Sequence, residues 1–364
     1  MTRANLQSCW RHRTVARPSQ LLQERVHKVK VRFFLLASVL LSLAVLSVNG
    51  QTRPKTRAGQ TPPPSLMASL PESDGVAQVK LRRLLNEVLP QVLANNPSKL
   101  AEINADLDRF KTRTGLDPRS FEQLALGVKY SYPSPGITKV QTVALANGTF
   151  SSGAMIAAGR IASDGKYREE KHQGKTIYIF TIDENIKVFG MFDFSVKEIA
   201  VAPLDANTLA LADPSSIRSV IDVGHGRQRR NEELLALASR DPNAVIGFGS
   251  NLSEQLLKNL DVGNAAIEQD LSAVRQVYGS VGTTPKDVDV FLAARTVDAN
   301  SARNLGETLE GLKQLGAFFV GRLSGARGVL AKSALTNLKV STQANELQIR
   351  TAVAQADIAP FVGN

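Results

Sequence analysis

Short turns between strand-like segments constrain the fold of this chain more than any other feature of its sequence. Residues 166–181 predict one hairpin about the turn His172–Gly174, and 199–201 should pair with 208–212 across the turn 204–207. Strands joined by so few residues must run antiparallel, because a parallel connection needs about a dozen residues or more. The chain therefore predicts antiparallel sheet and not a doubly wound parallel one.

Amphipathic helices accompany these strands. Asn96-Pro97 predicts the start of one helix and Gly115 its end, because Asn caps N-termini and Gly tolerates the left-handed backbone past the last turn. Its apolar residues are three or four apart: Leu100, Ile103, Leu107 and Phe110. A helix over 82–95 should bend or break at Pro90. Helices packed on an antiparallel sheet define the α+β class.

A second apolar stripe runs along a helix predicted over 301–319. Its members are again three or four residues apart: Leu305, Leu309, Leu312, Leu315 and Phe319. This spacing predicts a core-facing side. Glu307, Glu310 and Lys313 interrupt the stripe, so we do not expect a membrane element.

Four short segments occur twice in the same order. The matched pieces are Asp74–Val76 with Asn243–Val245, Asp106-Leu107 with Asp270-Leu271, Gly115–Glu122 with Gly282–Asp289, and Ala206–Leu211 with Ala344–Ile349. Each match alone is ordinary turn chemistry, but their common order favours an internal duplication. The sequence predicts two related α+β halves, 70–223 and 231–362, each an antiparallel sheet with packed helices. The shorter second half is expected to lack the hairpin 166–181.

Four sequence patterns can be compared with known families. They are L-P-x-x-D-x-V at Leu70–Val76, G-x-D-P at Gly115–Pro118, Y-x-x-x-x-x-x-G-K-x-I-Y at Tyr167–Tyr178, and D-A-N-T-L-A-L-A-D at Asp205–Asp213. In these the chain resembles a group of exported bacterial proteins that carry a domain of unknown function. The resemblance covers most of residues 70–360. It implies an exported α+β domain and transfers no active-site residue.

The start of the chain has the order of an export signal. A basic run, 25–32, precedes the apolar segment 33–48, and Val48-Asn49-Gly50 offers small residues to a signal peptidase. We expect residues 1–50 to be this signal, with cleavage near Gly50. The apolar segment holds about sixteen residues, just short of the roughly 17–25 that span a bilayer. A retained inner-membrane anchor is the alternative.

Residues 51–70 are rich in Pro, Thr, Gly and Ser and predict a disordered tether. The one cysteine, Cys9, precedes the apolar segment. An exported body without cysteine is typical of bacterial envelopes and not of disulfide-built secreted scaffolds. The expected location is the periplasm or the cell surface.

The positive charge is concentrated ahead of the body. The net charge is +11, but residues 1–50 hold eight basic side chains against Glu24 alone, and 51–57 add three more. The body from Ala58 onward is nearly neutral, which leaves little for the phosphate neutralisation that nucleic-acid binding requires. We expect no nucleic-acid partner.

Arg227, Arg229 and Arg230 form a compact basic cluster within the body. Its ordinary interpretation is a solvated loop between the halves. A weak contact with an anionic surface is the alternative.

No motif for a cofactor or a metal is complete. Gly174-Lys175-Thr176 copies the end of a phosphate-binding loop, but Glu169 occupies the position of its first glycine. The partial match of Gly159 with Gly165-Lys166 is mis-spaced by one residue. The candidate metal ligands are His172 and His225, each in a polar loop, and Asp287 with Asp289 at a strand start. Solvation at a strand start is the better interpretation of the two aspartates.

Ser250 comes nearest to a hydrolase nucleophile, at a predicted strand-to-helix turn. We expect Ser250 or Asn251 to cap the following helix instead. No catalytic, cofactor-binding or metal-binding residue is predicted. The function expected is a non-catalytic binding or interaction module that meets an envelope protein or a small ligand. The alternatives are an enzyme with a dispersed active site and a membrane-anchored envelope protein.

Export is tested by fractionation of the producing cells with intact-mass analysis of the product. We expect a periplasmic or surface-exposed chain that begins near Gln51. A full-length cytosolic product would contradict export, and a full-length membrane-bound product would favour the retained anchor.

Overall fold

The computed structural model describes residues 66–134, 137–181, 185–188, 192–195, 198–226, 231–258 and 264–362. The predicted signal, the tether up to residue 65 and the cluster Arg227, Arg229 and Arg230 lie outside the described residues.

Groups of strands are separated by helices along the described chain. The strands are β1 (Gly75–Val79), β2 (Phe121–Ser134), β3 (Ile137–Gly148), β4 (Tyr167–His172), β5 (Lys175–Thr181), β6 (Asn185–Val188), β7 (Phe192–Ser195), β8 (Glu198–Asp205), β9 (Thr208–Ala212), β10 (Ile246–Asn251), β11 (Val274–Thr283), β12 (Asp287–Thr296), β13 (Lys339–Gln343) and β14 (Glu346–Ala354). The helices are α1 (Leu81–Arg83), α2 (Leu89–Val92), α3 (Pro97–Thr114), α4 (Ser152–Ala162), α5 (Ile217–Gly224), α6 (Glu232–Ala238), α7 (Glu254–Lys258), α8 (Ala265–Ser272), α9 (Ala299–Val320), α10 (Gly325–Thr336) and α11 (Gln355–Val362).

Twelve of the described strands form one antiparallel sheet. Its order is β13-β14-β12-β11-β10-β1-β2-β3-β9-β8-β5-β4, while β6 and β7 pair separately. A mixed fold with a large antiparallel sheet is confirmed. The expectation of one sheet for each half is wrong, because β1 pairs along its whole length with β10, from Gly75 opposite Ser250 to Val79 opposite Ile246. This ladder joins the strands of residues 70–223 edge to edge with the strands of residues 231–362.

Helices cover both faces of the sheet. On β5, Ile177 and Ile179 join a core with residues of α5 and α6, while Tyr178 between them packs with Ile156 of α4. Successive side chains of a strand point to opposite faces, so α5 and α6 lie on one face and α4 on the other. On β12, Ala293 belongs to the first core, and Ala294 packs with Leu305 of α9.

The predicted helix limits are confirmed for α3. The Asn96 side chain accepts a hydrogen bond from the Lys99 backbone N–H at 3.2 Å, and Gly115 has φ +72°. At Pro90 the structure shows how the helix is disturbed. Residues Leu84–Val88 form a π-helical turn between α1 and α2, in which the Leu89 N–H donates to the Leu84 carbonyl.

The end of the predicted tether is packed, which corrects its boundary. Leu66–Ser69 form a 3₁₀ turn, and Leu66, Met67 and Leu70 are buried in the core beneath α5. Burial of these apolar side chains outweighs the Pro- and Ser-rich composition that precedes them. The folded body therefore begins by residue 66.

One of the four predicted segment matches is also wrong. Pro118 lies in a 3₁₀ turn between α3 and β2, whereas Pro285 lies between the paired strands β11 and β12. The two G-x-x-P segments are alike because both are turns. They connect different kinds of element, so they do not occupy equivalent positions.

Close packing of α6 on β10 depends on a glycine. A Cβ atom at Gly247 would overlap the carbonyl oxygen of Ala238, at the end of α6. At Gly282, in β11 of the same sheet, a Cβ would meet no atom within 4 Å. The two positions therefore separate a packing effect from the general effect of replacing a strand glycine.

We expect Gly247→Ala to lower the free energy of unfolding by about 1–3 kcal/mol, because α6 must shift away from the sheet. Gly282→Ala should be neutral or slightly stabilising, because it only restricts the unfolded chain. The measurement is urea denaturation of both variants beside the parent. Equal midpoints for the two variants would show that α6 does not pack against Gly247.

Candidate interaction surface

Exposed apolar side chains are concentrated on the helical hairpin of α9 and α10. Of the ten large apolar side chains that are exposed in the described part of the chain, six belong to this hairpin. We call this set the hairpin tip: Leu312, Leu315, Phe318, Phe319, Leu323 and Val329. The other four are far apart in the sequence, and single exposed apolar residues are normal.

The first half of α9 is fixed to the body. The Asp298 carboxylate caps the helix by accepting a hydrogen bond from the Ser301 backbone N–H at 2.8 Å, which holds the pKa of Asp298 below its ordinary value. Leu305 is buried. A Cβ at the neighbouring Gly306 would lie 3.0 Å from Thr342 of β13, so the small residue lets the helix approach the sheet closely. The start of α9 is therefore anchored by a cap and by packing.

The second half of α9 leaves most of its apolar stripe in solvent. The stripe was predicted to face the core, and this is correct for Leu305 and partly for Leu309. The prediction is wrong for Leu312, Leu315 and Phe319, which are 42%, 59% and 58% exposed. A helical period shows that one side of a helix is apolar, but it cannot show whether another element covers that side.

The turn between the helices is closely packed. A Cβ at Gly328 of α10 would overlap the carbonyl oxygen of Leu323, and Gly325 has φ +71°. Gly316 of α9 would place a Cβ 3.5 Å from Leu335 of α10. These contacts hold the two helices and their turn together, so the exposed side chains are carried by a packed hairpin.

Two adjacent phenylalanines lie at the end of α9. The rings of Phe318 and Phe319 have centroids 5.8 Å apart and meet edge to face at 85°. The Arg322 guanidinium carbon lies 4.7 Å from the centre of the Phe318 ring. The contact places a cation beside the exposed aromatic pair.

The side chains that surround the hairpin tip in the sequence are basic and not acidic. Residues 311–345 contain no Asp or Glu, but they contain five basic residues: Lys313, Arg322, Arg327, Lys332 and Lys339. Lys313 pairs with Glu310 at 3.2 Å. Among the described residues, no carboxylate forms an ion pair with Arg322, Arg327 or Lys332. Sequence reasoning missed this surface, although the acid-free stretch around Phe318-Phe319 was a visible signal.

His172 and His225, two of the candidate metal ligands, both contact α5, whereas Asp287 and Asp289 belong to a strand. His172 Nε2 lies 2.8 Å from an Asp222 carboxylate oxygen, and His225 Nδ1 donates to the Ile221 carbonyl at 2.9 Å. Gly174, with φ +75°, forms the β4–β5 turn as predicted. In the described ranges no group of three His, Cys, Asp or Glu side chains could hold a metal ion, and Asp287 and Asp289 are in β12.

Ser250 does not cap a helix, which corrects the prediction. It lies within β10, which extends to Asn251 because that residue pairs with Gln276 of β11. The Ser250 hydroxyl donates to the Asp74 carbonyl at 3.1 Å. Ser253 caps α7 instead, where its hydroxyl accepts from the Leu256 backbone N–H at 3.2 Å.

One polar network is formed by side chains of the neighbouring strands β11, β12 and β14. Burial raises the pKa of Tyr278. Burial also opposes ionisation of Glu346, but hydrogen bonds with Tyr278, Gln348 and Arg295 lower the pKa of this carboxyl below its ordinary value. Arg295 binds Glu346 at 3.1 Å, and Arg240 donates to the Tyr278 hydroxyl. An ionised carboxylate paired with arginine indicates a structural network and not a general acid.

A shallow polar cavity of about 400 Å³ lies between β2, β3 and α5. Four of its polar side chains form two pairs. Gln141 donates to the Ser215 hydroxyl at 3.0 Å, and Lys129 lies 3.5 Å from the Glu72 carboxylate. This cavity is a weaker candidate than the hairpin tip.

Within the described ranges, every helix is either too short or too polar to span a lipid bilayer. No protein-family model matches the chain, and no curated protein sequence matches it. Solved structures of TP0453 are similar in part. Crystal form III has a TM-score of 0.45 at 10% identity and covers 85% of this chain and 100% of its own. Crystal form I has a TM-score of 0.42 at 9% identity, and the alignment covers 84% of this chain and 98% of the TP0453 chain. Similarity at this level transfers neither a function nor a site residue.

Proposed function

We propose that this protein is an exported, non-catalytic binding module of the bacterial cell envelope, and that the hairpin tip is its interaction surface. The observation that carries the proposal is the exposure of six large apolar side chains on one helical hairpin. A clustered apolar surface of this kind costs solubility, and in soluble proteins it marks an interaction site.

The proposed location rests on the leader sequence. The order of basic, apolar and small residues over 25–50 favours cleavage and release to the periplasm or the cell surface. Retention of the segment 33–48 as an inner-membrane anchor is the alternative. Residues 51–65 would then tether the body to the membrane.

We also propose that the body consists of two related halves. From the centre of the sheet, β1 is followed outward by β2, β3, β9 and β8, and β10 is followed by β11, β12, β14 and β13. The two series have the same chain order, with a helix after β3 and after β12. Strands β4 to β7 are then an addition to the first half. This support comes from topology and no longer from the G-x-x-P turns.

Profiles built from sequence relatives of each half test the duplication. We expect the two profiles to align with β1 on β10 and β3 on β12. Profiles that match no better than shuffled sequences, or that align in another register, would count against a common origin.

Binding of a neutral apolar dye such as Nile red tests the interaction surface. We expect the variant Phe318→Ser/Phe319→Ser to lose most of the dye emission seen with the parent, because two large apolar side chains leave the tip. Val140→Ser/Ile161→Ser is the matched control, since both residues are exposed and lie outside the hairpin. Equal loss in both variants, or no loss in either, would show that the tip is not an accessible apolar surface.

A further inference from the structure

We infer that the hairpin tip docks on the surface of an anionic lipid bilayer. The inference rests on the proposed function, since it names the partner of the same surface. Three observations favour this partner over others: the sign of the charge, the distribution of the exposed side chains around α9, and the position of the basic residues beside them.

The charge of the tip selects an anionic partner. Arg322, Arg327 and Lys332 are exposed, and residues 311–345 hold no acidic side chain. Two copies meeting tip to tip would bring these cations together, which is unfavourable. A membrane surface rich in anionic headgroups would attract them. The near-neutral body supplies no comparable attraction, so the charge would orient the protein with its tip toward the lipid.

The apolar side chains are exposed on more than one side of the helix. Phe318 and Phe319 are successive residues, which an α-helix places about 100° apart, and both are more than half exposed. Leu323 continues the exposure into the turn. A fluid lipid surface can receive side chains from several directions, whereas a partner protein would need a groove shaped around the whole end of the hairpin.

The basic side chains can follow the apolar ones into the interface. Arg322 packs its guanidinium against Phe318, which keeps the charge beside the aromatic ring. Long basic side chains lay their carbon stems on apolar surface and keep the charge at headgroup level. Because α9 is too polar to span a bilayer, the expected mode is a shallow insertion in the interface.

A tryptophan at the tip would report insertion directly. The chain has one tryptophan, Trp10, so Phe319→Trp in a Trp10→Phe background leaves a single reporter. With vesicles of phosphatidylglycerol and phosphatidylcholine, we expect a blue shift of its emission and protection from an aqueous quencher. Ile161→Trp in the same background is the control, since Ile161 is 81% exposed on α4 and should show neither change. The local reporter makes the result independent of any binding by residues 33–48.

The charge contribution is tested separately. The variant Arg322→Gln/Arg327→Gln/Lys332→Gln should bind anionic vesicles more weakly by on the order of a hundredfold, because each basic residue near an anionic surface contributes about a fivefold factor. Lys139→Gln/Lys166→Gln/Lys286→Gln removes the same charge from exposed positions outside the hairpin and should bind like the parent. High salt should abolish this difference.

Each outcome decides between partners. An unchanged Phe319→Trp emission with anionic vesicles would overturn the lipid inference, as would an equal response to pure phosphatidylcholine. If the tip still binds Nile red in that case, the proposed function stands with a protein partner, or with a second copy if sedimentation shows a dimer. If the Nile red measurement also shows that the tip is not an accessible apolar surface, the proposed function fails together with the inference.

Discussion

The antiparallel ladder between β1 and β10 is the contact on which the rest of the structure depends. It joins residues that are more than 160 positions apart and makes one sheet of what would otherwise be two. Without it, β1 and β10 would each present unpaired backbone groups in the middle of the sheet, where a strand edge invites aggregation. The continuous sheet provides two faces that the helices can cover, and it fixes where each helix lies.

Helix α9 shows how one element can serve both the fold and the proposed interaction. Its first half is capped by Asp298 and packs through Leu305 and Gly306 on the edge of the sheet. Its second half packs mainly on α10, through Gly316 and Leu335. Packing of the first half on the sheet stabilises the whole helix, including the half whose side chains are exposed. The tip can therefore display apolar side chains that do not contribute to the core. A mutation at the tip should therefore affect binding more than stability.

Much of the fold was predictable because it depends on local chemistry. The hairpin at His172–Gly174, the helix cap at Asn96 and the stop at Gly115 follow from turn, capping and backbone preferences of a few neighbouring residues. The class of the fold follows from them, since short turns require antiparallel strands. The near-neutral charge of the body and the expected export signal likewise depend only on the composition and the order of residues in the sequence. The candidate site was not predicted, although its acid-free basic and apolar sequence was available.

The sequence by itself determined that residues 166–181 and 199–212 form hairpins, where α3 begins and ends, and that one side of α9 is apolar. Only the tertiary structure decided that β1 meets β10, that Leu66 and Met67 are buried, and that the stripe of α9 leaves the core after Leu309. The physical reason is the range of the interactions. Capping and turn formation act within a few residues, but burial depends on which distant elements arrive opposite a side chain, and no local pattern contains that information.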